Sequence, residues 1–326
     1  MKFRTEISIP KSKIQIEHNN NILTLGSCFA ESISQYFNYY KFNILENPFG
    51  VLYNPASIYN SLKLTIEKKL FTKDDLIFDQ SEFHSYYHHS DFSHHNYDEC
   101  LSRINNNAKR TINFLKNCDT IIITFGTSFL FRHLEKDIIV SNCHKIPQNQ
   151  FERRKLTIKE TENYIQKTIE ILKTCNSKMN IIFTVSPVRH WKDGAVDNQL
   201  SKSTLLLAVN EIVNKNDNCE YFPAYEIMMD DLRDYRFYSE DLIHPNKIAT
   251  DYIWERFSES RFTKTCFEIM DEVKKIVQAV KHKPRNINSA KHKEFIKTNI
   301  DLINKLTAKF PYLSFEKELI YFQSIL

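Results

Sequence analysis

The chain has 326 residues, with 44 basic against 40 acidic side chains and a formal net charge of +4. That balance gives no basic field for a nucleic-acid surface. No apolar run approaches the ~18 residues that a membrane span requires. The charged N-terminus "MKFRTEISIPKSKIQIEHNN" lacks the apolar centre of a secretory signal. An intracellular, cytoplasmic protein that engages neither nucleic acid nor membrane is therefore expected. Seven scattered cysteines without a CxxC pair fit reduced thiols better than a disulfide framework.

In chain order, "NILTL" (21–25) reads as a buried strand and 29–40 as the helix after it. Helices follow at 55–68 and 99–117. "TIIITF" (120–125) is the clearest strand. Helix 158–175 leads to strand 180–187, and helix 198–215 to a short strand at 219–224. Helix 245–257 closes this unit. From 262 onward the pattern is helical, broken at Pro284 and Pro311. Alternating strands and helices imply a mostly parallel sheet covered on both faces. The expected division is an α/β unit over 1–261 and a helical appendage over 262–326. The lysine-rich stretch 273–297 reads as a solvated helix face.

Only four glycines occur, where an average composition of ~7% would give about 23. They are Gly26, Gly50, Gly126 and Gly194, and each is expected where only glycine serves. Gly194 reads as a loop turn. Ligands of parallel sheets gather at the carboxyl ends of the strands. Gly26-Ser27-Cys28, Gly126-Thr127-Ser128 and Ser186 to His190 should therefore be neighbours.

Near the end of the α/β unit, "SEDLIHPNKIA" holds Asp241 and His244 three residues apart. In a helical turn the two share a face, so the carboxylate can fix the imidazole tautomer. Pro245 suits the first turn of the next helix. A histidine hydrogen-bonded at a helix start is the plainer reading of this motif alone.

Joined to the strand–glycine–nucleophile turn, the pattern resembles the SGNH (GDSL-like) hydrolases, with their separated G-D-S, glycine, G-x-N-D and D-x-x-H blocks. The corresponding stretches are Gly26-Ser27-Cys28, Gly50, Gly126-Thr127-Ser128-Phe129, and Asp241 to His244. More narrowly, "GSCFA" at 26–30, "NPFGVLYNPASI", "TFGTSFLFR", "NCHKIPQNQFERR", "SPVRHWKDGAVDNQLSK" and "FYSEDLIHPN" resemble the GSCFA family over roughly residues 15–260. The resemblance implies an SGNH-hydrolase-like (flavodoxin-like) three-layer sandwich with a C-terminal helical extension. It implies attack on an acyl ester, such as an O-acyl carbohydrate, by hydrolysis or transfer without a cofactor or metal. By register Cys28 holds the nucleophile position, with Ser27 as its competitor. A helix N-terminus and an adjacent histidine are expected to lower the thiol pKa. His244 would be the base and Asp241 its orienting group. The oxyanion donors would be the N–H groups of Cys28 and Gly50, with the Ser128 hydroxyl where the wider pattern has asparagine.

Other residues carry alternatives. Arg189 and His190 follow a strand directly and are candidates for substrate contact, as is His144, which could also serve as a second base. Arg153 and Arg154 could hold an anion or anchor a loop. His84, His88, His89, His94 and His95, with Asp91, admit a metal-dependent reading, against which stands a packed loop. A binding module weakened by the serine at 128 is the alternative from outside enzymology.

Overall fold

A computed structural model describes residues 5–67, 70–287 and 289–325. β1 (Asn21–Gly26) leads into α1 (Cys28–Tyr39), β2 (Asn43–Glu46) and α2 (Pro55–Ile66). A short hairpin, β3 (Ile77–Phe78) and β4 (Phe83–His84), precedes α3 (Tyr97–Leu115) and β5 (Thr120–Phe125). β6 (Phe129–His133), β7 (Ile138–Val140) and β8 (Phe151–Lys155) follow. Then come α4 (Ile158–Cys175), β9 (Asn180–Val185), α5 (Gly194–Lys215), β10 (Cys219–Tyr221) and the single turn α6 (Ala224–Glu226). α7 (Lys247–Arg261), α8 (Lys264–Val280), α9 (Ala290–Lys309) and α10 (Glu316–Ser324) complete the chain.

The central sheet has five parallel strands in the order β10-β9-β5-β1-β2. Counting only its own strands along the chain, this is the 2-1-3-4-5 order of doubly wound flavodoxin-like sheets. The order reverses between β1 and β5, where Leu23 lies opposite Ile121. Side chains alternate across the sheet with period two. Leu23, Leu25, Ile121, Ile123, Ile181 and Phe183 enter a core shared with α2, α4 and α5. Ile22, Ile122 and Ile182 enter the opposite core under α1 and α7. Because both faces are buried, these strands read as continuous apolar runs, as expected of a parallel sheet.

α8, α9 and α10 close around a third core that includes Val273, Ile296, Ile303 and Phe322. α8 joins the two units, since its Cys266 and Met270 pack under the sheet while Ile269 and Val273 face the C-terminal helices. A Lys41–Glu318 ion pair at 2.6 Å adds a polar tie between them. No helix among the described residues is long and apolar enough to cross a membrane.

Several strands lie outside the expected elements: the edge strand β2, the β3–β4 hairpin, and β6 to β8. β6 pairs antiparallel with both β7 and β8 in a small separate sheet. The tight turn between β6 and β7 places Asp137 at φ +51°, without the glycine that normally betrays a hairpin. The same substitution recurs: Lys41, Asn47, Gln80, His144, Lys145 and Leu242 also take positive φ. Glycine scarcity in this chain therefore marks fewer turns than there are.

Candidate active site

The first turn of the site stands at the reversal point of the sheet. Gly26 ends β1 at φ +132°, and an added Cβ would lie 2.1 Å from the Thr124 carbonyl oxygen. No other residue fits. Ser27 N–H donates to Thr124 O at 3.1 Å, and Leu52 N–H donates to Gly26 O at 2.9 Å. The Asn47 side-chain oxygen accepts the Gly26 N–H at 2.9 Å. Both neighbouring loops thus pin the backbone just before α1 begins. Ser27 is buried, and its hydroxyl has no hydrogen-bond partner. Cys28 opens α1 and is half-buried.

Asp241 and His244 meet without the helical turn that their spacing implied. Leu242 takes φ +56°, and the Asp241 carboxylate accepts the N–H groups of Ile243 (2.9 Å) and His244 (3.0 Å). This local wrap turns the His244 ring back so that Nδ1 lies 2.6 Å from Asp241 Oδ2. Those three interactions, the His244 amide first, hold the Asp241 carboxyl well below the usual carboxylate range. Pro245 falls outside the following helix, which starts at Lys247 with Asn246 as its N-cap. The contact depends on an Asx-type turn, in which an Asp side chain bonds its own following backbone, and not on helix geometry.

The two halves converge. Cys28 Sγ, one ring nitrogen of His244 and one of His190 all lie within 4.8 Å of one another. With Nδ1 engaged by Asp241, the free nitrogen of His244 is Nε2. The thiol does not match the expected lowering. Burial first, then the nearby Glu31 carboxylate, push it up, outweighing the Phe29 amide and the Lys202 charge that pull it down. The helix terminus is present, but desolvation is the larger effect.

The other expected residues divide. The Gly50 N–H, expected as an oxyanion donor, instead donates to Asn47 O at 2.7 Å. The Ser128 hydroxyl is fully buried and donates to Ser201 Oγ at 3.1 Å. The Cys28 N–H, as the first amide of α1, has no partner within the helix. His190 stands edge-on to His244, with ring centroids 5.6 Å apart. Although exposed as a residue, its ring is pushed down from the usual histidine range by desolvation, then by His244 and Lys202. Arg189 donates to Asn198 Oδ1 at 3.2 Å and lies over the Trp191 ring.

His144 stacks on His84 at 4.4 Å and bonds the Ser85 carbonyl at 2.8 Å, as part of a buried histidine cluster and not of the triad. Desolvation pushes it down to about 4. The histidines of 84–95 do not gather as metal ligands among the described residues. His84 bonds Ser93, His88 bonds Ser85, and His94 lies tilted against His95. Arg153 pairs with Asp193 and Arg154 with Glu160, so both anchor loops.

One residue at the site has no counterpart in the sequence reading. Lys202 on α5 is 0% exposed, and its Nζ donates to Gly126 O and Ser186 O, each at 2.7 Å. These carbonyls follow β5 and β9, so the ammonium ties together two carboxyl-end loops. Desolvation pushes its pKa down from 10.5 to about 7; Cys28 opposes that shift and Arg189 adds to it. A signal was available in the sequence. Lys202 falls on the buried stripe Asn198, Ser201, Leu205, Ala208, Val209, Ile212, where a lysine is exceptional.

Beside Asp241 lies a cleft of about 460 Å³, bordered by Arg189, Trp191, Tyr235, Tyr238 and Leu242. Trp191, Tyr235 and Leu242 are exposed there. Its wall mixes apolar and aromatic side chains with two guanidiniums, Arg189 and Arg233, and two carboxylates, Asp234 and Asp241. The site thus combines a thiol, an oriented imidazole, a buried lysine and an adjoining cleft of mixed aromatic and charged lining.

Two family models match the sequence. The GSCFA family covers residues 21–257, and the GSCFA domain protein C-terminal domain covers residues 273–326. The chain belongs to the GSCFA family. No curated protein matches it.

Proposed function

We propose that the protein is an acyl-ester hydrolase or acyltransferase of SGNH type that works through a covalent thioester on Cys28. One observation carries the reading: Asp241, His244 and Cys28 meet from opposite ends of the sequence in nucleophile–base–orienter order. The Cys28 thiol gives its proton to His244 Nε2 as Sγ bonds to the acyl carbon. The tetrahedral oxyanion then collapses, and the leaving alcohol takes the proton back from Nε2. Water, or a second alcohol in a transfer, attacks the thioester with His244 again accepting its proton, and the thiol is restored. Because burial raises the thiol pKa, the proton moves during attack, not beforehand.

The Cys28 N–H, without a partner inside the helix, would be the donor for the oxyanion. The aromatic cleft would receive the apolar part of the acyl group or a sugar ring. Seven free cysteines agree with a reducing cytoplasm. A second reading, a binding module with little turnover, draws on the engagement of Gly50 and Ser128 away from the oxyanion.

The test is turnover of a panel of aryl acyl esters and acylated sugars by the wild type, Cys28→Ala, Ser27→Ala and His244→Ala. Loss in the Cys28 and His244 variants with retention in Ser27→Ala is expected. Turnover that survives His244→Ala ends the proposal, and saturable ligand binding with no turnover by any form favours the binding module.

A further inference from the structure

His190 has no task in the thioester chemistry, yet it completes a triangle with Cys28 and His244. The three ligand atoms lie within 4.8 Å of one another and come from three separate segments of the chain. A tetrahedral zinc ion with Zn–S of about 2.3 Å and Zn–N of about 2.0–2.1 Å sets its ligand atoms about 3.4–3.6 Å apart. Side-chain rotations of about 1 Å, at residues that are half-buried or exposed, close that gap.

A second feature belongs to a metal centre as much as to a triad. The Asp241 carboxylate accepts a 2.6 Å hydrogen bond from His244 Nδ1–H, which leaves the Nε2 lone pair free. Ligating histidines are oriented by such a carboxylate, and losing it costs 10–100-fold in affinity as a rule of about that size. One thiolate and two imidazoles form a donor set for zinc-class cations and not for magnesium or calcium. Three protein ligands leave a fourth corner for water, and the exposed His190 gives the ion a path in.

We propose that Cys28, His190 and His244 bind one zinc-class cation, and that the bound ion silences the Cys28 thiol. On binding, the S–H bond breaks, its proton passes to solvent, and sulfur and two neutral imidazoles donate to the metal. The sulfur lone pair that would attack an acyl carbon is then held by the ion, and so is the nitrogen that would accept the proton. The silencing rests on the thioester reading; the binding does not.

The experiment uses the full chain, stripped with EDTA and desalted under reducing conditions. Cobalt(II) titration is expected to saturate at one ion per chain, with a thiolate-to-metal charge-transfer band. That band should vanish in Cys28→Ala, which controls for the other thiols. His190→Ala, at an exposed position, should weaken binding by at least about 10–100-fold, the size seen even for outer-shell partners. One equivalent of zinc should slow iodoacetamide labelling of Cys28, read by peptide mass, and EDTA should restore it. A cobalt spectrum unchanged by Cys28→Ala, or labelling indifferent to zinc, overturns the site. Ester turnover that requires the ion overturns the silencing. If metal binds as expected but the metal-free protein turns over no ester, it is the thioester reading that fails.

Discussion

Lys202→Met removes a buried amino group while keeping most of the side-chain volume. Two effects follow, and pH separates them. The Gly126 and Ser186 carbonyls lose their donor, at a cost of about 1–3 kcal/mol each that does not depend on pH. The second effect comes from the depressed pKa. Between about 7, its folded value, and 10.5, its ordinary value, the unfolded chain binds a proton that the folded protein does not. Wild-type stability therefore rises with pH across that window, by about 1.4 kcal/mol per unit. From pH 7.5 to pH 9 the wild type should gain about 2 kcal/mol over Lys202→Met. The buried thiols titrate in the opposite sense at the upper end, but they are common to both proteins and largely cancel in the difference. Urea unfolding followed by Trp191 and Trp254 fluorescence reports on the α/β unit that holds both. A stability difference that stays flat from pH 7.5 to 9 would refute a displaced Lys202 charge.

Gly26→Ala places a methyl against the Thr124 carbonyl at positive φ and should destabilise the fold by about 3 kcal/mol or more, measured by the same unfolding assay. Asp241→Asn should leave thermal stability nearly unchanged while ester turnover falls on the order of 10³-fold or more, because the carboxylate that fixes the His244 tautomer is gone. The raised Cys28 pKa means that its alkylation rate should keep climbing through pH 9, where a lowered thiol would already have levelled off near neutrality. A plateau near pH 7 in the wild type would show the thiol to be lowered after all.

The inner strands of the central sheet were legible because burial on both faces writes them as unbroken apolar runs, as in "TIIITF" and "NIIFTV", whereas the half-exposed edge strand β2 was not. The β6–β7–β8 sheet was not, because its turn uses Asp137 at positive φ where a glycine would have announced it. At the site, the spacing of Asp241 and His244 marked the pair correctly but for the wrong local geometry, since the wrap through Leu242 needs a left-handed leucine that no propensity rule predicts. Gly50 and Ser128 stood at the positions a resemblance assigns, yet their hydrogen-bond partners are set by tertiary neighbours, Asn47 and Ser201, that spacing does not reveal. Nor does it reveal the sign of the Cys28 shift, which depends on how much of the thiol is withdrawn from water. Lys202 was missed although it lies on the buried stripe of α5, and its role became readable only when the two carbonyls it binds were in place.

The thioester mechanism depends above all on Cys28 becoming acylated. Rapid quench of the wild type with an activated acyl ester, followed by intact-mass and peptide-mass analysis, tests this directly. One acyl group per chain is expected on the Cys28 peptide, removable by hydroxylamine and absent from Cys28→Ala and from His244→Ala. An acyl group on Ser27, or full ester turnover by Cys28→Ala, would contradict it.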